Sequence, residues 1–201
     1  MKKRILGGTA LFAMLAATAS MAAQPAAATA PPVTQGPAIP GLCILSINQA
    51  IGASTVGQYV SRRMKEIVAQ VKAELQPEDE QIATEGRALE AKRSSLGAST
   101  FQSQAEALNE RANALRQKAE LRQKEVEDTE HSAINRIAQE LDPVARSLYE
   151  QHHCSILVNK DSVMIANPQM DLTSEAVAGL NGRIQQFAFE REHLEAAPPA
   201  N

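Results

Sequence analysis

From Val56 the apolar residues fall at Val56, Val60, Met64, Ile67, Val71 and Leu75, spacings of three and four that place them on one stripe of a helix. Arg62, Arg63, Lys65, Glu66, Lys72 and Glu74 lie off that stripe. The pattern carries on through Ile82 and Leu89 to about Arg93. Pro77 lacks a backbone donor and should kink or break this helix, unless a new helix starts there with Glu78, Asp79 and Glu80 at its positive end. Residues 94–100, SSLGAST, are small and turn-forming and read as a reversal. Beyond it Phe101, Ala105, Leu108, Ala112, Leu115 and Ala119 alternate at four and three, a heptad seam kept narrow by alanine. Val126 keeps the register and Arg122 interrupts it; the stripe resumes as Ile134, Ile137, Leu141, Val144 and Leu148, with Pro143 as a second kink site. Helices of this length, rising 1.5 Å per residue, make an antiparallel hairpin about 55–60 Å long over residues 56–151, with no room for an internal core.

The flanking segments have a different rhythm. Leu42, Cys43, Ile44, Leu45, Ser46 and Ile47 read as a buried strand behind Pro40-Gly41, followed by a helical turn to Thr55. Ile156, Leu157 and Val158 resume strand character, and Val163 to Ile165 read as a third strand after the turn Asn159-Lys160-Asp161. A last amphipathic helix is expected from Ser174 to about Arg191, with Val177, Leu180, Ile184 and Phe187 on one face. The fold class is therefore mostly α with a small β body, α+β: residues 41–55 and 152–191 form the body, and the hairpin is inserted between them. Residues 192–201 read as a frayed tail.

The first 22 residues have a cationic start, an apolar run and small residues before Ala22, the pattern of a cleaved signal peptide. Residues 23–40, rich in Pro and Ala, read as a disordered leader. Lys2, Lys3 and Arg4 are the only charges in the signal, so its removal takes the formal charge from −3 to −6. An acidic chain is a poor partner for nucleic acid, and an aromatic content of 3% without Trp excludes base-stacking platforms and large hydrophobic cofactor pockets.

Reactive constellations are scarce. His152-His153-Cys154 offers zinc-type ligands, but neighbouring residues point apart and no CxxC or HExxH accompanies them, so a helix-end role is the better reading and no metal site is assigned. Gly52, Gly57 and Gly86 have neither phosphate-loop nor dinucleotide spacing, and the carboxylates lie on helix faces, so no catalytic or cofactor-binding residue is assigned. In an oxidising compartment Cys43 and Cys154 are candidates for a disulfide, within the chain or between subunits, that would staple the two ends of the insertion. At the arm tip Arg87, Lys92 and Arg93 outnumber Glu90 beside Leu96 and Phe101, a local positive charge suited to a client or an anionic membrane surface, against the alternative of a solvated turn.

The order of elements, with the phrases CILSINQAI near the start, LDPVARSLYEQHHCSILVNKDSVMIANPQMDLT on the return and EAVAGLNGRI after it, resembles the Skp (OmpH-like) family of periplasmic chaperones over about residues 41–183. The resemblance implies an ATP-independent holdase in the periplasm. It implies a jellyfish-like homotrimer whose body is built from Leu42, Ile44, Leu45, Ile47, Ile156, Leu157, Val158, Val163 and Ile165. Three arms would then surround a cavity that holds unfolded outer-membrane β-barrel proteins. Basic charge is typical of the best-studied members, and this chain departs from it. The competing reading is a structural coiled-coil adaptor of the envelope without general holdase activity.

Overall fold

The computed structural model describes residues 35–194; residues 1–34, on which the expected signal peptide and most of the expected leader fall, and residues 195–201 lie outside the described residues. In chain order the elements are β1 (Leu42–Leu45), α1 (Ile47–Ala53), α2 (Thr55–Ala91), α3 (Ala98–Gln151), β2 (Ile156–Asn159), two short 3₁₀ turns at Lys160–Ser162 and Pro168–Met170, and α4 (Thr173–Arg183). β1 and β2 pair in parallel, Leu42 opposite Ile156 and Leu45 opposite Asn159. Parallel strands need a crossover connection, and here the two long helices supply it. Gly41 sits at φ 78°, where a side chain is disfavoured, and its carbonyl accepts the Ile156 amide at 3.0 Å as the pairing starts.

The opening strand is shorter than expected. Ser46 leaves it to cap α1, its hydroxyl accepting from the Gln49 amide at 3.2 Å, so Ile47 becomes the first helical residue. The Ser46 amide donates to Thr173 Oγ1 at 2.9 Å, tying the start of α1 to the start of α4. On the far edge of β1 the Leu172 amide donates to the Ile44 carbonyl at 2.8 Å. β1 is thus bonded on both edges and β2 on one.

Within this chain Val163 to Ile165 do not form a third strand. The residues before them are drawn into a 3₁₀ turn: Asn159 Oδ1 accepts from the Asp161 amide, Asp161 takes a bond from Asn48 Nδ2 at 2.8 Å, and Lys160 reaches Asp171 at 2.6 Å. The far edge of β1 is taken by residues 171–172, and after that turn Val163 to Ile165 do not pair with the remaining free edge, that of β2.

Both prolines lie inside uninterrupted helices, Pro77 in α2 and Pro143 in α3, so neither breaks its helix and none begins at Pro77. Contacts from the partner helix bracket Pro77: Glu74 meets Arg122 and Glu78 meets Lys118, one on each side. These partner numbers rise on α2 as they fall on α3, which is antiparallel pairing. The base of the pair does hold a core, contrary to expectation: Val56, Val60, Met64 and Ile67 are buried with Ala133, Ile137, Leu141, Val144 and Leu148. α3, at 54 residues against 37 for α2, runs past the start of α2 and brings Val144 and Leu148 under α1 and α4. Towards the tip Val71, Leu75, Ile82 and Leu89 are only half-buried, as is the seam from Phe101 to Ala119.

α4 ends at Arg183 instead of about Arg191. Gly179 and Gly182 weaken its last turns, and Asn181 diverts its side chain to cap the α2 amide of Thr55 at 2.7 Å. Ile184–Leu194 forms neither helix nor strand and lies along the base of α2 and α3. The leader is also held at its end, where Asn167 Nδ2 donates to the Gly36 carbonyl at 2.9 Å.

Cys43 and Cys154 are bonded within the chain, with Cα atoms 5.8 Å apart and a sequence separation of 111. A loop of that size carries a closure cost of about 4–5 kcal/mol in the unfolded chain, which the covalent link removes. Where α1 meets α2 the backbone approaches closely: a Cβ on Gly57 would lie 1.9 Å from the Ile51 carbonyl oxygen. Gly57→Ala is expected to destabilise the fold by about 2–3 kcal/mol, read as a lower urea midpoint with unchanged slope; an unchanged midpoint would show that the junction yields freely.

Candidate functional site

Three surfaces stand out. The first is the face of the helix pair above its core. Lys72, Leu75, Gln76, Asp79, Ile82, Ala112, Leu115, Arg116 and Ala119 line an open groove of about 530 Å³, apolar on its floor and charged at its rim. The groove follows from the sequence: alanine at alternate seam positions leaves α2 and α3 short of filling side chains. A second opening of about 550 Å³ lies lower, beside Val60, Met64, Val126 and Ile134, with Val68 and Ile134 partly in solvent.

The second surface is polar and buried. Sequence spacing put Val126 and Ile134 on the α3 stripe, whereas the structure turns Glu125, Thr129 and Ala133 inward and leaves Ile134 37% exposed. Glu125 is wholly buried, and Arg122 Nη1 reaches its Oε1 at 2.9 Å. Arg191, from the C-terminal segment, lies 3.2 Å from Glu125 Oε2 and 3.0 Å from Glu74. Arg122 also binds Glu74 at 2.8 Å. The hydrogen bond from Arg122, with further help from Arg191, holds the Glu74 carboxyl below the usual carboxylate range. In the sequence Arg122 figures only as an interruption of the seam and Glu74 only as a residue off the α2 stripe, and neither is joined to Glu125 or Arg191; the signal was the spacing of 122, 125, 129, 133 and 137, which continues the seam through polar residues.

The third feature is a set of apolar side chains left exposed on the body. Ile39, Ile156, Met164 and Ile165 are exposed, Met164 almost completely at 99% and Ile165 at 71%. Burial of such side chains is worth about 1.5–3 kcal/mol each, so leaving them in water has a cost that a covering surface would recover. The open edge of β2 accompanies them.

Against this geometry the comparisons are specific. A profile of the family "Outer membrane protein (OmpH-like)" matches residues 41–180. The chain belongs to the OmpH-like family. Among solved structures, the crystal structure of a Caulobacter crescentus CB15 protein described as an outer membrane chaperone (OmpH-like) is 43% identical, with a TM-score of 0.71 over 82% of this chain and 97% of that one. No curated protein matches the chain.

Of the residues assigned to the body of this OmpH-like chain, Ile44 and Leu45 are buried within it, whereas Ile47, Ile156 and Ile165 are left in solvent. Leu42, Leu157, Val158 and Val163 are half-buried. At the tip Arg87, Lys92 and Arg93 are exposed and Leu96 and Phe101 half-buried; Arg93 stacks over the Phe101 ring at 5.1 Å and pairs with Glu90 at 2.9 Å. His152 ends α3 and bonds Glu175 at 2.8 Å, and His153 adopts φ 50° as the chain turns towards Cys154. Among the described residues no cluster of three or more His, Cys, Asp or Glu is arranged to hold a metal.

Two outcomes follow from the buried charges. Arg122→Met leaves Glu125 short of a cation and is expected to cost about 3 kcal/mol, most of it recovered in Arg122→Met with Glu125→Leu; equal loss in both, by urea denaturation, would overturn this. Glu74 is lowered by Arg122 and Arg191, and at Asp171 the bonds from Lys160 and Thr173 outweigh burial, which pushes the other way. A carboxyl lowered in the folded state stabilises it fully above the ordinary value and loses that contribution as pH falls through the lowered one. Thermal midpoints should thus be level above about pH 4.5 and fall below it, with a smaller acid decline in Glu74→Gln.

Proposed function

We propose that this chain is an ATP-independent periplasmic holdase that binds unfolded outer-membrane β-barrel proteins between helical arms projecting from a trimeric body. The observation that carries the reading is the under-filled apolar floor and charged rim of the α2–α3 face, in a chain of the OmpH-like family. A long, shallow, mixed surface grips an extended chain weakly at many points, and repetition over several arms turns weak contacts into retention without nucleotide. The exposed Ile156, Met164 and Ile165, with the open edge of β2, support self-association, because a second copy would bury them and supply the missing strand partner. The role is one of binding, not catalysis. Arg87 and Lys92 at the tip are available to acidic clients or lipid headgroups, though the acidic balance of the chain argues against strong long-range attraction.

The test dilutes a urea-unfolded outer-membrane barrel into buffer with the mature chain and follows light scattering. Aggregation is expected to be suppressed near three subunits per client, without nucleotide. Leu115→Asp should weaken protection several-fold with unchanged subunit number, and Ile165→Asp should lower subunit number. Full scattering at excess chain would sink the holdase reading.

A further inference from the structure

The segment Ile184–Leu194 lies beyond residues 41–180, which the family profile matches. Phe187, Phe189 and Arg191 are half-buried, whereas Ala188 and Glu190 between them are exposed, the period-two alternation of an extended chain. The Phe189 ring meets Tyr59 of α2 edge-on, centroids 6.4 Å apart, and Phe187 packs beside it at 5.4 Å. Two residues on, Arg191 enters between Glu74 and Glu125. The main chain is held as well: the Glu192 amide donates to Thr129 Oγ1 at 2.9 Å and the Leu194 amide to Glu125 Oε1 at 3.1 Å.

These contacts define a seat. Side-chain acceptors on α3 take main-chain donors, which any peptide possesses, and alternate positions are read by an aromatic wall and a pair of carboxylates. The seat thus selects an extended segment with aromatic residues at i and i+2 and a cation at i+4. Alternation of this kind, with aromatics two apart facing one side, is what strands of membrane β-barrels carry.

We propose that this seat at the base of the arm is a peptide-binding site, occupied in the resting chain by the protein's own C-terminal segment as a surrogate, and that extended client segments of the pattern aromatic-x-aromatic-x-cation exchange with it. The assignment of the client rests on the holdase reading; the seat itself rests on the contacts above. Exchange is feasible because a client cation at i+4 would take the place of Arg191 on Glu74 and Glu125, so the buried carboxylate stays paired. The outer ion pair, Glu190 to Arg63, leaves the Glu190 side chain 81% exposed, and ordering the segment costs backbone entropy. A tethered ligand acts at an effective concentration of about millimolar, so a client of tighter affinity displaces it.

The experiment uses the full mature chain and a fluorescein-labelled peptide of residues 184–194, IQQFAFEREHL, followed by anisotropy. A released variant, Phe187→Ala with Phe189→Ala and Arg191→Ala, changes only the segment and leaves the seat intact; Arg191→Ala alone is a milder second variant. The released variant is expected to bind the peptide at least about tenfold more tightly than wild type, and a peptide with both phenylalanines replaced by alanine should lose that gain. Equal binding by wild type and both variants, absence of binding to the released form, or equal binding of the alanine peptide would overturn the site. In wild type, an unfolded barrel client should speed hydrogen exchange at the Glu192 and Leu194 amides. A client that is held while those amides stay protected overturns the exchange and leaves the holdase reading standing. If no client is held, the holdase reading fails and the peptide titration still decides the seat.

Discussion

The parallel pairing of β1 with β2 is the constraint on which the remaining structure depends. It joins two four-residue segments across the whole length of α2 and α3. A ladder that short does not offset the entropy of closing so long a loop. The Cys43–Cys154 bond lies beside the pairing and removes much of that entropy from the unfolded state. The other edge of β1 is secured by Leu172, and the start of α4 by Ser46 and Thr173. Closure at this point fixes where α2 departs and where α3 returns, and so sets their antiparallel register.

From that base, burial declines along the helix pair. The lower third is packed by β-branched and long aliphatic residues, the middle is taken over by charge, and the upper part relies on alanine and isolated leucines. The charged middle is the unusual layer. A buried carboxylate is tolerated there because two guanidinium groups meet it, one from its own helix and one from the C-terminal segment. The same layer that closes the core therefore also anchors the segment laid across it. The family profile spans the helix pair and most of the body, and the anchored segment lies just beyond the residues it matches.

Much of this was legible in the residues. Val56 to Leu75 and Phe101 to Ala119 repeat with a helical period strong enough to place both long helices and the reversal between them. The inward face of α3 between residues 122 and 133 was misread because a polar seam has no hydrophobic signal; only its spacing gives it away. Val163 to Ile165 have the composition of a strand, yet a strand exists only where the chain is laid along a partner edge; the 3₁₀ turn at Lys160–Ser162 intervenes, and these residues pair with neither β1 nor the open edge of β2. Ile184 and Phe187 continue the α4 spacing, but Phe187, Phe189 and Arg191 fit a period of two equally well, and tertiary contacts with Tyr59, Glu74 and Glu125 decide between the two. Glu125 and Arg191, 66 positions apart in the sequence, illustrate what one-dimensional pattern cannot supply.

The graded burial also has a mechanical meaning. Fixed by a covalent tie at one end and thinly packed at the other, the helix pair is a cantilever whose bending stiffness falls with distance from its root. The ion pairs from Glu74 to Arg122, Glu78 to Lys118 and Glu85 to Arg111 act as rungs that resist sliding of one helix past the other. A cargo pulling near Phe101 would deflect the free end with little force and transmit only a small torque to the sheet, so the outer arm yields to cargoes of different girth while the junction at Cys43 and Cys154 keeps its geometry.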